Sequence, residues 1–492
     1  MIDAVALQIA TGALRAACEE MGAVLIRSAH SANIKERRDC SAALFDPKGQ
    51  MVMQAEHIPV HLGAMPAAVA AILEQDHEPD VSWILNDPFR GGTHLPDITV
   101  ITPVFLEDAL IGFAANRAHH ADVGAKVPGS MPADSRTLDE EGVVIAPRVL
   151  DDDAIAELAA QMRAPEQRRA DLRAQLAANR VGAQRLQQLQ HHEAVYAAVL
   201  DYAERRTRAC LSDLPDGVHE ARDVLEGIDG DIELTLRATV AGDEVTLDFG
   251  DGPPLDAGNL NCPLAVTRSA CYFAIRVLTD PDIPPSAGAY RPVHVVAAEG
   301  TLLHAAARAD GSLPAVAGGN VETSSRVADL VLQAFGRACG QGTMNNFTLG
   351  NDDFAYYETL GGGQGACPDA DGPSGVHVAM SNTLNTPVEA LELEFPLRVT
   401  EYALRRGSGG DGTHTGGDGV VRELEALAPM TYSLITERRR HPPPGAEGAD
   451  PGDPGRNLVD GEELPAKATG SLQPGQRLRL ETPGGGGYGR RP

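Results

Sequence analysis

A chain of 492 residues with 43% hydrophobic residues can bury a large core, enough for two or three ordinary domains or one large mixed one. Its formal net charge of -28 leaves no basic surface for phosphate neutralisation, so nucleic acid is excluded as a partner and neutral or cationic partners are favoured. Only Lys35, Lys48, Lys126 and Lys467 could serve Schiff-base or lysine-nucleophile chemistry, and no G-x-x-x-x-G-K-[ST] phosphate loop occurs.

The N-terminus opens with an acid rather than a basic region, and Val5, Leu7, Ile9, Leu14 and Val24 recur at helical spacing, which predicts a helix over residues 3–30. No apolar run approaches the ~18 residues of a membrane span, so neither export nor membrane insertion is expected. Seven cysteines (Cys18, Cys40, Cys210, Cys262, Cys271, Cys339, Cys367) are scattered and never spaced C-x-x-C, which argues against disulfides or a thiolate zinc site and for a reducing cytoplasm. The charged segment NIKERRD, Asn33 to Asp39, reads either as a solvated loop or as a cavity wall shared with His57 and His61 of AEHIPVHLG. In the second case Glu36 and Asp39 become candidate general bases or substrate clamps, while each histidine taken alone is by default structural. Between these pieces, Cys40 to Phe45 and Met51 to Gln54 read as strands about a turn at Asp46-Pro47-Lys48-Gly49.

The densest chemistry lies between Asn86 and Asp122. His94 and Asp97 stand in GGTHLPD, and His119, His120 and Asp122 in RAHHAD about 25 residues later. Residues 98–105 (ITVITPVF) and 109–115 are apolar and β-branched, two strands about a tight acidic turn, and that hairpin would return the second cluster alongside the first. Pro96 makes a turn likelier than a helix around His94 and Asp97. Two imidazoles and a carboxylate suit Zn²⁺ or Mn²⁺ with a position left open, His119 or His120 completing the set. The alternative is a hydrogen-bonded turn at His94 and Asp97, with His119 and His120 straddling a strand, one inward and one outward.

Farther on, residues 150–203 are rich in Ala, Arg, Gln, Leu and Glu with almost no Gly or Pro, which predicts one or two long solvent-facing helices. Residues 222–250 alternate as strands about a turn at Ala241-Gly242-Asp243. Gly318-Gly319-Asn320 leads into a helix with an apolar stripe at Val327, Leu330, Val331 and Phe335 and a stop at Gly340. Gly319, Asn320, Glu322 and Arg326 at its start suit an anion, or Asn320 simply caps the helix. Beyond Leu349 glycine is dense, fitting close backbone approach to a ligand or long turns, and residues 441–457 (HPPPGAEGADPGDPGRN) predict a mobile low-complexity loop.

Taken together, SANIKERRDCSAALFD, QAEHIPVHLGAMP, ILNDPFRGGTHLPDITVITPVF, NRAHHADVGAKVPGSMP, GGNVETSSRVAD, GTMNNFTLG, YYETLGGGQGA, NTPVEALELEFPLRV and ETPGGGGYG resemble the hydantoinase B/oxoprolinase family, in order and across nearly the whole chain. The resemblance implies a mixed α/β (α+β) multi-layer fold over residues 1–492, with a metal-site layer at 1–150, a helical arm at 151–215 and a glycine-rich α/β layer at 216–492. It implies a divalent metal (zinc, manganese or iron) on His94, Asp97 and His119, with Asp39, His120 and Asp122 as acid–base or supporting groups. It also implies an A-type ATPase subunit as partner, in a cytoplasmic heterotetramer of two A and two B chains. That partner would phosphorylate the amide oxygen of a small lactam, hydantoin or 5-oxoproline-like ring with ATP, and water activated at the metal would open the ring. Two other roles follow from the same family: a carboxylase subunit of the acetone or acetophenone carboxylase type, and a non-catalytic binding subunit. Two segments depart from the family's pattern, VHVAM at 376–380 without a second histidine and DGTHT at 411–415 without an arginine, and both concern substrate or anion contacts. The end of the chain soon after its glycine-rich tail leads to the expectation of a stand-alone B-type subunit.

Overall fold

Six strands near the N-terminus form the sheet that carries the clustered histidines. They are β1 (Cys40–Phe45), β2 (Met51–Glu56), β3 (Ser82–Leu85), β4 (Asp97–Leu106), β5 (Ala109–His119) and β6 (Arg148–Leu150), in the antiparallel order β2-β1-β5-β4-β3-β6. The computed structural model describes residues 3–56 and 58–491. Both faces of this sheet are covered, which is why its strands read as near-continuous apolar runs. Ala42, Leu44, Val104 and Ala114 pack with Leu14 and Met21 of the helix Ala4–Ser28, whereas Ala43, Phe45, Ile101 and Phe113 pack with Met65, Val69 and Tyr290 on the opposite face. The β4–β5 hairpin turns at Glu107, which takes a left-handed φ of 52°. Its strands run beyond the predicted limits at both ends, and the register sets Asp97 directly opposite His119.

The Ala- and Arg-rich stretch holds three helices, Asp152–Ala160, Pro165–Gln188 and His192–Ser212. Only their outer faces are solvated: Pro165–Gln188 lies along β4, β5 and the N-terminal helix and buries Leu172, Ala178 and Leu186. Its buried amides are satisfied across the interface. Gln175 donates to the Ile98 carbonyl and to Asn116 Oδ1, both at 2.9 Å, and Asn116 Nδ2 donates to Asn179 Oδ1 at 2.7 Å.

A second sheet follows, Gly217–Glu226, Asp231–Ala241 and Glu244–Asp248 joined antiparallel, with Val293–Val296 added in parallel. Helices Leu264–Leu278 and Ser324–Ala334 share its apolar core. The second of these starts from a π-helical turn at Gly319–Thr323 and ends at Ala334, so its stop signal is Gly336, at a φ of 64°, and not Gly340. Two further sheets, one of four and one of five strands, complete the expected mixed α/β architecture.

The glycine-rich segments meet one another. A Cβ on Gly484 would lie 1.8 Å from the Ser408 carbonyl oxygen, and one on Gly486 would lie 1.9 Å from that of Pro444, so backbone packing against backbone requires these glycines. Residues 441–457 belong to this knot rather than to a loose loop: Ala446 N–H donates to the Gly487 carbonyl at 2.9 Å, and Asp450 and Asp453 donate to Asp411 and Ser408, each at 2.8 Å. All seven cysteines are free, and among the described residues no helix is long and apolar enough to cross a membrane.

Candidate metal centre

Asp97 opens β4 and His119 closes β5, so ladder pairing alone places a carboxylate beside an imidazole. The turn before β4, closed by the Asp97 N–H donating to the His94 carbonyl at 3.1 Å, folds His94 back onto them. The ligand atoms of the three residues then lie within 4.8 Å of one another, all buried. His94 Nε2 stands 3.3 Å from Asp97 Oδ2, and the rings of His94 and His119 are 5.0 Å apart and tilted by 52°.

Both ring nitrogens of His94 and Nε2 of His119 are buried without a hydrogen-bond partner. Orphan polar atoms of this kind cost free energy unless their lone pairs meet an electrophile. Two imidazoles and one carboxylate, drawn together with free lone pairs, fit a divalent cation such as zinc, manganese or ferrous iron. Burial works against charge on Asp97, but the His94 and His61 imidazoles outweigh it and hold the carboxyl well below its usual range. Burial, with His94 adding to it, keeps His119 well below the ordinary imidazole value. A carboxylate and a neutral imidazole are the ligating forms.

Residues from distant segments brace these three. His61, which local sequence reads as structural, places Nε2 3.3 Å from Asp97 Oδ2 and Nδ1 2.9 Å from Ser41 Oγ. Thr93 Oγ1 donates to the same Asp97 oxygen at 2.6 Å. The Asn33 amide lies 3.0 Å from His119 Nδ1. Tyr357 stacks on His119 with centroids 4.4 Å apart and planes at 7°, and the Arg37 guanidinium lies 4.7 Å from the centre of the Tyr357 ring. Of these, His61, Thr93, Asn33 and Arg37 lie in segments that the sequence singles out, AEHIPVHLG, GGTHLPD and NIKERRD; Tyr357 comes from another sheet, and nothing in its local sequence ties it to His119.

The segment from Asn33 to Asp39 is a wall rather than a solvated loop, since Asn33, Ile34, Arg37 and Asp39 are all buried. Asp39 adjoins the centre through its backbone, its carbonyl accepting from the His119 N–H at 3.0 Å, and its carboxylate lies 3.8 Å from Arg37; burial pushes it up to about 7 against the pull of Arg37, with Asp97 adding to the rise. His120 and Asp122 go elsewhere. His120 Nε2 lies 2.9 Å from Gln175 Oε1 on the covering helix, and burial lowers its imidazole to about 4. Asp122 accepts from the N–H groups of Gly124 and Gly129 at 2.7 and 2.9 Å and from Arg163 Nη1 at 3.0 Å, which ties down the loop after β5. Glu36 is partly exposed and close to Glu394, and His57 lies outside the described residues. At the two departures from the family pattern, His377 Nδ1 lies 2.7 Å from Ser381 Oγ and His414 Nδ1 lies 3.5 Å from Asp371 Oδ1.

The expected anion site at the 319–326 helix start is filled by the protein itself. Glu322 Oε1 accepts from Asn346 Nδ2 at 3.0 Å, Asn346 Oδ1 accepts from the Tyr357 hydroxyl at 2.7 Å, and Arg326 pairs with Asp223 and Glu437. Burial, with the Glu437 charge adding to it, pushes Glu322 from its ordinary 4.5 up to about 8. The folded chain therefore holds this carboxyl protonated near neutrality, and its contribution to stability, full below the unfolded value, is lost as pH rises through about 8. Taking the pH from about 6 to about 9 is expected to lower the wild-type Tm more than that of Glu322→Gln, read by thermal unfolding at constant ionic strength. Parallel pH slopes for the two proteins would assign the effect to another group.

The sequence profile of the hydantoinase B/oxoprolinase family matches residues 3–491. The chain belongs to that family. The 5-oxoprolinase 1 of Arabidopsis thaliana is 40% identical to this hydantoinase B/oxoprolinase chain over 99% of it and 42% of the plant protein. The chain thus spans about two fifths of the length of the curated 5-oxoprolinases it matches. The crystal structure of the ATP-dependent caprolactamase from Pseudomonas jessenii covers 100% of this chain and 92% of its own, with a TM-score of 0.91 and 28% identity. A nucleotide-free acetone carboxylase structure gives a TM-score of 0.86 over 99% of this chain and 76% of its own; at 18% identity the likeness is one of fold.

Proposed function

We propose that this hydantoinase B/oxoprolinase chain is the metal-dependent part of a cyclic amide hydrolase, opening a lactam-, hydantoin- or 5-oxoproline-like ring activated by an A-type ATPase partner. The observation that carries this reading is the buried His94, Asp97 and His119 set with its partnerless nitrogens. The 5-oxoprolinase and ATP-dependent caprolactamase relatives supply the reaction class. A divalent cation held by these residues supplies Lewis acidity, polarising an oxygen it meets and making water more acidic. The chain's own residues do the rest. Thr93 and His61 hold the Asp97 carboxylate in one rotamer, and Tyr357 holds the His119 ring in one plane. Asp39, buried beside them with a carboxyl brought up to about 7, is placed to take a proton from attacking water and return it to the ring nitrogen as the C–N bond breaks. Phosphorylation of the amide oxygen by the partner, using ATP, makes the carbon electrophilic enough for that attack; C–N cleavage then leaves the ring-opened acyl phosphate, and a second water hydrolyses it to the free carboxylate and inorganic phosphate.

The test is reconstitution of the chain with an A-type partner, ATP and 5-oxoproline, hydantoin or caprolactam, followed by chromatography of the products. A ring-opened product that requires both chains is the expected result. Bicarbonate-dependent consumption of a ketone would replace this reading with that of a carboxylase subunit, and no turnover of any substrate would leave a binding subunit.

A further inference from the structure

We propose that Asn33 is a positioning residue that sets the tautomer of His119, turning its carboxamide oxygen toward Nδ1–H so that the Nε2 lone pair faces the centre. The inference rests on the metal reading above and adds to it a residue that does not itself touch the ion. Asn33 sits in the short helical turn Ala32–Lys35, is 1% exposed, and has its carboxamide nitrogen Nδ2 3.0 Å from His119 Nδ1. The His119 ring cannot swing to exchange its two nitrogens, being stacked on Tyr357 at 4.4 Å and set against His94 at 5.0 Å. A neutral imidazole has one proton and two places for it. If the Asn33 N–H group donated to Nδ1, the proton would sit on Nε2, and Nε2 is buried with no acceptor in reach. That arrangement leaves an orphan N–H and removes the lone pair that a cation needs. With the amide turned over, Nδ1–H has its acceptor and Nε2 presents a lone pair to His94 and Asp97. The oxygen and nitrogen of a carboxamide have the same shape, so hydrogen-bond logic decides between them.

The other two ligands are held differently. His94 has no hydrogen-bond partner on either ring nitrogen, and Asp97 is fixed by Thr93 and His61, so Asn33 is the side chain that selects a tautomer at this centre. Being neutral, it does so without adding charge. Its backbone carbonyl separately accepts from the Asp39 N–H at 3.0 Å, a bond that survives replacement of the side chain.

The experiment uses the full-length chain, zinc as the probe, and competition with a chromogenic chelator, comparing wild type, Asn33→Ala, Asn33→Asp and His94→Ala. Asn33→Ala is expected to bind zinc about 10- to 100-fold more weakly, whereas Asn33→Asp, which still accepts from Nδ1–H, holds it at least as well as wild type. ¹⁵N spectra of histidine-labelled, zinc-loaded wild type should show His119 protonated at Nδ1; this measurement needs no variant and stands even if Asn33→Ala fails to fold. Wild-type affinity in Asn33→Ala, or a proton on His119 Nε2, overturns the inference and leaves the metal reading intact. A wild-type chain that takes up no more zinc than His94→Ala overturns both.

Discussion

His94→Ala is expected to leave purified chain without its divalent ion after dialysis and to lower partner-dependent turnover by about 10²- to 10³-fold or more, while the fold stays intact. The expectation follows from what His94 does not do in the protein. It is 1% exposed, yet neither ring nitrogen has a hydrogen-bond partner, and Nε2 stands 3.3 Å from Asp97 Oδ2. A side chain buried for structural reasons would satisfy its nitrogens, as His61 does with Ser41 and Asp97. Removing His94 therefore deletes one of the three proposed ligands and a modest amount of packing, and no structural hydrogen bond. Elemental analysis beside thermal unfolding separates the two contributions. Full metal content and full turnover in a folded His94→Ala chain would sink the site assignment. His61→Ala, which breaks bonds to both Ser41 and Asp97, supplies the contrasting case of lost stability.

Arg326→Leu is expected to be among the most destabilising single changes in the molecule, costing about 3–5 kcal/mol in denaturant unfolding. Arg326 is fully buried, 3.0 Å from Asp223 Oδ1 and 3.5 Å from Glu437 Oε2, and it donates to the carbonyls of Val224 and Gly342. Leucine fills part of the volume but leaves two carboxylates with less compensation in a region shut off from water. Arg438, 2.6 Å from Asp223, and Lys467, 2.6 Å from Glu437, remain to share the load, which places the effect toward the lower end of that range. A loss below about 1 kcal/mol would mean that those two cations suffice by themselves. Arg326 thus serves to join the second sheet to the segment following the strand Met430–Ile435, and that use leaves it unavailable for the anion suggested by its place at a helix start.

Much of the centre was legible in local sequence. The spacing of His94, Asp97 and His119, with two apolar, β-branched runs between them, specifies a hairpin, because such runs form buried strands and a tight turn must bring their ends together. Which of the two adjacent histidines faces the centre was not legible from spacing. It depends on β5 continuing to His119, beyond the predicted residue 115: with its side chain on the same face as Arg117, His119 meets Asp97, and His120 leaves toward the covering helix. The segment from Asn33 to Asp39 misleads for a related reason, since five charged residues in a row look solvated until Tyr357, Thr359 and Thr383 are seen to receive Arg37.

By itself the sequence determined most of the elements, the fold class, His94 and Asp97 with one of two adjacent histidines as candidate ligands, and the absence of a phosphate loop, because helical and strand periodicity, turn chemistry and residue spacing are all local properties. Tertiary structure decided which groups surround that set: Tyr357 against His119, His61 behind Asp97, Asn33 at Nδ1, and Asp39 rather than His120 or Asp122 beside the centre. It also decided that Arg326 and Glu322 serve the fold and that the tail glycines serve backbone packing. Contacts between residues far apart in the chain leave no periodic trace, and burial, which sets both orientation and protonation here, exists only once distant segments have closed over one another.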